Sequence, residues 1–238
     1  MSETTILAVE DLDVFYGASK ILFSVGLTVE KGRTLALLGR NGAGKSTTLK
    51  AIAGVAPPRR GRVRLGTREL AGARPDAIAR AGIGYVPEDR QVFPMHSVED
   101  NLAIGAKLGP NGQDHWNLQT VYHAFPILAG MKERRAGLMS GGEQQMLTIA
   151  RTLMGNPSFV LLDEPSEGIA PVIVEQMARV ILQLKSEGLT VLLSEQNLHF
   201  ARAVADVAVI IEGGEQKFHG TLDALNAQPE IRDAYLLV

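Results

Sequence analysis

The residues best suited to chemistry fall in one stretch, Arg33 to Lys50, which reads RTLALLGRNGAGKSTTLK. Its middle, Gly39, Arg40, Asn41, Gly42, Ala43, Gly44, Lys45, Ser46 and Thr47, fits the pattern G-x-x-x-x-G-K-[ST]. The apolar run Leu35 to Leu38 predicts a buried strand before this loop, and a helical pattern follows it through Ile52. Gly39, Gly42 and Gly44 open backbone conformations closed to side chains, so successive N–H groups can point at phosphate oxygens. A helix starting near Lys45 adds the positive end of its dipole. Lys45 is then placed to reach the β- and γ-phosphates of a nucleotide, and Ser46 to ligate magnesium. A glycine-rich turn with a surface lysine would explain the composition, but not the strand, spacing and helix together.

A second stretch, Phe159 to Leu162, is continuously apolar and ends in Asp163-Glu164. That pattern predicts a fully buried parallel strand with two carboxylates at the sheet's C-terminal edge, where open α/β sheets bind ligands. Asp163 could hold magnesium directly or through water, and Glu164 could polarise an attacking water as general base. Two adjacent carboxylates there would be costly without a cation. In the third stretch, Leu138 to Gln145, Ser140-x-x-Glu143 is a capping box before an apolar helical run. Ser140, Gly141 and Gly142 at an exposed helix N-terminus would also make an anion site. Capping leaves the two glycines unexplained, because glycine is poor in a first turn. Tyr16, beside Gly17, is either packed at a strand edge or presents its ring to a base, and spacing alone favours packing. His199 and His96 read as an ordinary helix residue and a loop residue, and Arg59, Arg60, Arg62 and Arg64 as a solvated hairpin face.

The elements that must position these groups follow from periodicity. Ile6 to Phe15 and Leu22 to Val29 alternate as strands, Gly61 to Leu70 reads as a hairpin turning at Gly66-Thr67, and Pro75 to Arg80 begins a short helix before a strand at Ile83 to Val86. From Ser97 to about Arg135 strand signals are lacking, and Trp116 to Phe125 is an amphipathic helix candidate. Val172 to Lys185 and Leu198 to Val204 are helical, Leu189 to Leu193, Val207 to Ile211 and Gln216 to His219 are strands, and two short helices finish the chain. Alternating strands and helices predict an α/β fold, a parallel sheet covered on both faces. The 238 residues, 45% hydrophobic and 21% charged, suit a soluble globular protein with ample core. A net charge of −2 argues against a dedicated nucleic-acid binder, and zero cysteines exclude disulfides and thiolate metal sites. The opening MSETTILAVEDLDV has no basic, apolar leader pattern, and no run spans a bilayer. The chain is therefore expected in the cytoplasm, with any membrane role supplied by a partner.

Together the three stretches resemble the ATPase subunit of ABC transporters, and the resemblance runs from Ile6 to Val238. It implies a P-loop ABC ATPase core at 1–96 and 157–238, with an N-terminal antiparallel β part and a helical subdomain at 97–156. It implies ATP and Mg2+ as cofactors, and a head-to-tail dimer in which the Ser140-Gly141-Gly142 helix, with Glu143, closes over ATP held by the opposite subunit. Tyr16 then matches the aromatic that stacks on adenine. Glu88 falls where the family usually has a magnesium-touching glutamine, Gln196 where most members have a γ-phosphate-sensing histidine, and Ala170 where an aspartate crosses the interface. The segments GYVPEDRQVFP, LMSGGEQQML, DEPSEGIAP and LLSEQN resemble the branch that serves branched-chain amino-acid importers, specifically the ATPase lacking the switch histidine. A similar branch serves urea and short amides. The partners implied are a second, different ATPase, two transmembrane permease subunits and, indirectly, a periplasmic substrate-binding protein, with this chain peripheral on the cytoplasmic face of the membrane. A soluble ABC ATPase of repair or translation would need a coiled-coil insertion or a tandem unit, and a GTPase would need an Asn-Lys-x-Asp motif; neither is found.

Overall fold

In strand-forming stretches, alternate apolar residues must find a common core, and the first two strands show how. In the computed structural model, which describes residues 5–236, β1 (Thr5–Tyr16) and β2 (Ser19–Glu30) form an antiparallel pair with Leu7, Val9, Leu12, Val14, Leu22, Val25 and Leu27 buried. The leader reading at Met1 to Thr4 and the family resemblance at Leu237 and Val238 extend beyond the described residues. The chain continues through β3 (Thr34–Leu38), α1 (Lys45–Ile52), β4 (Arg60–Leu65), β5 (Arg68–Glu69), α2 (Pro75–Arg80) and β6 (Ile83–Val86). Then come α3 (Val98–Gly105), α4 (Leu118–Ala124), α5 (Pro126–Ala129), a 3-10 turn at Ala136–Leu138 and α6 (Gly141–Leu153). The last part is β7 (Phe159–Asp163), α7 (Pro171–Ser186), β8 (Thr190–Glu195), α8 (Leu198–Val204), β9 (Val207–Glu212), β10 (Glu215–Thr221), α9 (Leu222–Asn226) and α10 (Pro229–Leu236).

The main sheet has six strands in the order β10-β9-β3-β8-β7-β6, all parallel to their neighbours except β10. A second sheet, β2-β1-β4-β5, is antiparallel throughout. Each central strand feeds two cores. Leu35, Leu37, Leu161, Leu192 and Val209 face α1, α2 and the antiparallel sheet, while Ala36, Leu38, Leu162, Leu193 and Ile210 share a core with α6, α7 and α8. Such two-sided burial explains the continuous apolar runs of β3, β7 and β8.

Between β6 and β7 the described residues form helices, the 3-10 turn and an isolated Ser97–Arg135 bridge. The start of α3 carries a Ser97–Asp100 capping box. The α4 helix starts two residues later than the Trp116 pattern suggests. Asn117 caps it, while Trp116 is buried and its backbone N–H and C=O both bond the Asn156 side chain. The basic hairpin is a solvated face, with Arg59, Arg60 and Arg62 exposed and Arg64 half-buried, and its charges still find partners. Arg59 stacks over Phe15 at 4.3 Å and donates to the Gly17 carbonyl at 2.6 Å, Arg62 pairs with Glu69, and Arg64 pairs with Glu10.

Candidate functional site

Strand order decides which loops meet. Because β3 lies between β8 and β9, with β7 next to β8, the loops after β3, β7 and β8 gather at one end of the sheet. The turn after β3 has the backbone its glycines permit, with φ of 155° at Gly39, 79° at Gly42 and 113° at Gly44. At Gly44 a Cβ would stand 2.7 Å from Leu22 Cδ2, so packing against β2 as well as conformation requires glycine. Gly44 is the N-cap of α1, and Lys45 is its first residue. The Lys45 ammonium, 3% exposed, donates to the carbonyls of Gly39 at 2.9 Å and Arg40 at 3.0 Å and pairs with Glu164 Oε1 at 2.9 Å. Three donors thus meet three acceptors.

The paired carboxylates are handled in two ways. Glu164 receives the cation that its burial calls for, since it is only 5% exposed. Its φ of 46° is unusual for a residue with a side chain, and its N–H is held by Ser194 Oγ at 3.0 Å and the Ser194 carbonyl at 3.2 Å. Asp163 instead accepts hydroxyls, from Ser194 at 2.7 Å and from Tyr85 at 3.1 Å. Burial first, and then the Asp163 charge, raises the Tyr85 phenol above its ordinary value, so it stays a donor.

Around Lys45 lies a cavity of about 460 Å³ lined by Tyr16, Ile21, Asn41, Gly42, Gly44, Lys45, Ser46, Thr47, Glu88, Glu164 and Glu167. Tyr16 is 48% exposed, which overturns the packing preference drawn from spacing alone. Burial first, then the charges of Glu167, Asp163 and Glu164, raises the Glu88 carboxyl above its usual range. This acidic rim and the Ser46 hydroxyl offer oxygens, the atoms hard divalent cations prefer, although among the described residues no three acidic or histidine side chains come together as a metal-holding group. Gln196 comes to the loop from β8's side, its amide donating to Asn41 Oδ1 at 2.6 Å.

The third stretch is not brought to this cavity. Ser140, Gly141, Gly142 and Glu143 form the start of α6, where Ser140 N–H donates to Glu143 at 2.7 Å and Glu143 N–H to Ser140 Oγ at 3.3 Å. One of the glycines has a packing reason that capping does not supply. A Cβ on Gly142 would stand 2.7 Å from Ile173 of α7, whereas one on Gly141 would meet only the movable guanidinium end of Arg90, so packing accounts for Gly142 alone. Ala170 caps α7 without a side-chain bond, and His199 and His96 are exposed. Sequence reasoning passed over Tyr85, Ser194, Glu195 and Glu167. Ser194 and Glu195 stand in the quoted LLSEQN segment, and their polarity at the end of an apolar strand was the available signal.

The ABC transporter family model matches residues 22–167, more than half of the chain, including the phosphate loop, the α6 start and the Asp163-Glu164 pair. The chain belongs to the ABC transporter family. As an ABC ATPase it binds and hydrolyses ATP as the ATP-binding subunit of a transporter. It is 43% identical over 231 residues to BraG of Pseudomonas aeruginosa, a high-affinity branched-chain amino acid transport ATP-binding protein, covering 97% of this chain and 99% of that one. It is 32% identical over 236 residues to LptB of Escherichia coli K12, a lipopolysaccharide export system ATP-binding protein, covering 97% and 96%. Among solved structures, a nucleotide-free ATP-binding cassette from an ABC transporter superimposes with a TM-score of 0.82 at 28% identity, covering 95% of this chain and 97% of that one. In this ABC ATPase, no helix among the described residues is long and apolar enough to cross a membrane.

Proposed function

We propose that the chain powers an importer of branched-chain amino acids, hydrolysing ATP at the cavity around Lys45 while a separate permease carries the cargo. The similarity to BraG over nearly both whole chains carries this reading of the cargo. LptB matches over a similar span at lower identity. Urea and short amides are the alternative cargo, as the sequence segments allow.

The geometry supports the following roles. The phosphate loop, Gly39 to Thr47, cradles the phosphates, and Lys45 moves from Glu164 to the β- and γ-phosphate oxygens. Released from the lysine, Glu164 is free to take a proton from attacking water. Ser46, Glu88 and Asp163 would hold magnesium by their oxygen donor chemistry, Asp163 being oriented by the hydroxyls of Ser194 and Tyr85. The ion would neutralise charge on the phosphate oxygens. Gln196 serves as a donor to the γ-phosphate, a role supported by its hydrogen bond to Asn41 of the loop. The Ser140 helix, away from its own cavity, serves the opposite subunit, so the working unit is a head-to-tail dimer. Because Gln196 cannot become cationic and Ala170 offers no side-chain bond across the interface, a different ATPase is the expected partner.

The α/β core at 1–96 and 157–238 holds nucleotide, and the helical subdomain at 97–156 meets the permease on the membrane's cytoplasmic face. Phe93, 43% exposed, lines a groove between the two parts with Ile104, and Met95, 72% exposed, follows two residues on, so the segment offers an apolar contact. Assembly with permease, binding protein and second ATPase in proteoliposomes should give ATP-dependent leucine uptake. Phe93→Asp in this chain should abolish assembly and uptake but spare its soluble ATP hydrolysis and its thermal melt. Uptake of urea but not leucine would overturn the cargo.

Tyr16 supplies a ring for the base. Tyr16→Ala should weaken ATP binding by about tenfold and Tyr16→Phe by less than about twofold, since the phenyl ring keeps the π-face. Equal losses in calorimetric titration would assign the effect to the hydroxyl.

A further inference from the structure

Glu195, at the end of β8, is 1% exposed and belongs to none of the roles above. Its two oxygens hold two different loops. One accepts the backbone N–H of Ser166 at 3.0 Å, two residues beyond Glu164, and the other accepts the backbone N–H of Asn197 at 3.1 Å, next to Gln196. Each loop is fixed again beyond the clamp. The Glu164 N–H is held by Ser194, Asn197 caps α8 through Phe200 N–H, and Gln196 reaches Asn41 of the phosphate loop.

We propose that Glu195 is a positioning residue that ties the loop after Glu164 to the turn bearing Gln196, so that both groups address the γ-phosphate as one unit. The inference rests on the roles proposed for Glu164 and Gln196. A bidentate carboxylate suits this task because it is acceptor-only and can satisfy two N–H groups from separate loops. Burial first, opposed by the Ser166 and Asn197 hydrogen bonds, pushes its carboxyl up to about 7. The groups around it are Glu164, whose charge raises it and is itself opposed by Lys45 of α1, and the Ser166 hydroxyl, whose hydrogen bond lowers it. Protonation would replace one acceptor by a donor and release one loop.

The test is Glu195→Gln in the full chain, compared with wild type and Glu164→Gln for Mg-ATP hydrolysis from about pH 6 to about pH 9 and for thermal melting. A glutamine must aim its amide at one of the two N–H groups. The expected result is a kcat lower by roughly tenfold to a hundredfold with KM within about twofold, and loss of an acid limb near pH 7 that wild type shows. Wild-type kcat and pH profile in Glu195→Gln, with Glu164→Gln inactive, would overturn the clamp. An unaffected Glu164→Gln would sink the catalytic reading on which the clamp rests. Should Glu195→Gln melt early, amide exchange on wild type decides. Protection at one of Ser166 and Asn197 should fall as pH drops through 7 while the other holds, and pH-insensitive protection at both would overturn the proposal.

Discussion

Glu164→Gln should bind Mg-ATP at least as tightly as wild type and hydrolyse it about 10²- to 10⁴-fold more slowly. The substitution is nearly isosteric and removes the base while leaving the side-chain oxygen that faces Lys45. In the structure Lys45 and Glu164 are each other's buried counterion at 2.9 Å, so phosphate must compete with the carboxylate for the ammonium. A neutral amide is the weaker competitor. Nucleotide affinity should therefore hold or rise by a few fold, and the Ser194 contacts that fix the backbone at 164 stay intact. Equilibrium binding and phosphate release measured on one preparation separate the two effects. Hydrolysis at the wild-type rate would remove Glu164 from the chemistry. Weaker binding would show that the Lys45–Glu164 pair assists phosphate capture instead of opposing it.

What the sequence made legible was local. The phosphate loop announced itself because three glycines, a lysine and a serine have fixed positions between a strand and a helix. The Ser140–Glu143 and Ser97–Asp100 caps could be read for the same reason, since each closes within three residues. The apolar runs of β3, β7 and β8 showed that these strands were buried, but not who stood beside whom. That order, β3-β8-β7, is what brings Lys45 to Glu164, Ser194 to Asp163 and Gln196 to Asn41. A cation was expected to offset the carboxylate pair; the lysine of the phosphate loop supplies it for Glu164, and two hydroxyls serve Asp163. Gly142 belongs to the same class. Its missing side chain makes room for Ile173, a neighbour that only tertiary packing of α6 on α7 provides. Arg59 is solvated as a charge run suggests, but its partners, the Phe15 ring and the Gly17 carbonyl, come from β1 and the turn after it and could not be read from the run itself.

Lys45→Ala should fail in two separable ways. The first is stability. Removing the ammonium leaves Glu164 buried without its counterion and strips a donor from the Gly39 and Arg40 carbonyls. Breaking one side of a buried pair typically costs about 3–5 kcal/mol, which a thermal melt or urea titration would read directly. The second is affinity. Losing a charge-assisted bond to phosphate, worth about 1.5–3 kcal/mol, predicts roughly 10- to 100-fold weaker ATP binding. The double variant Lys45→Ala with Glu164→Gln distinguishes the two. It no longer buries a lone carboxylate, so much of the stability should return while the affinity loss remains. A strong positive coupling in the stability cycle beside near-additive losses in binding is the signature of a lysine that serves the fold through Glu164 and the nucleotide through its phosphates. Wild-type ATP affinity in Lys45→Ala, measured below its melting transition, would confine this lysine to the first task.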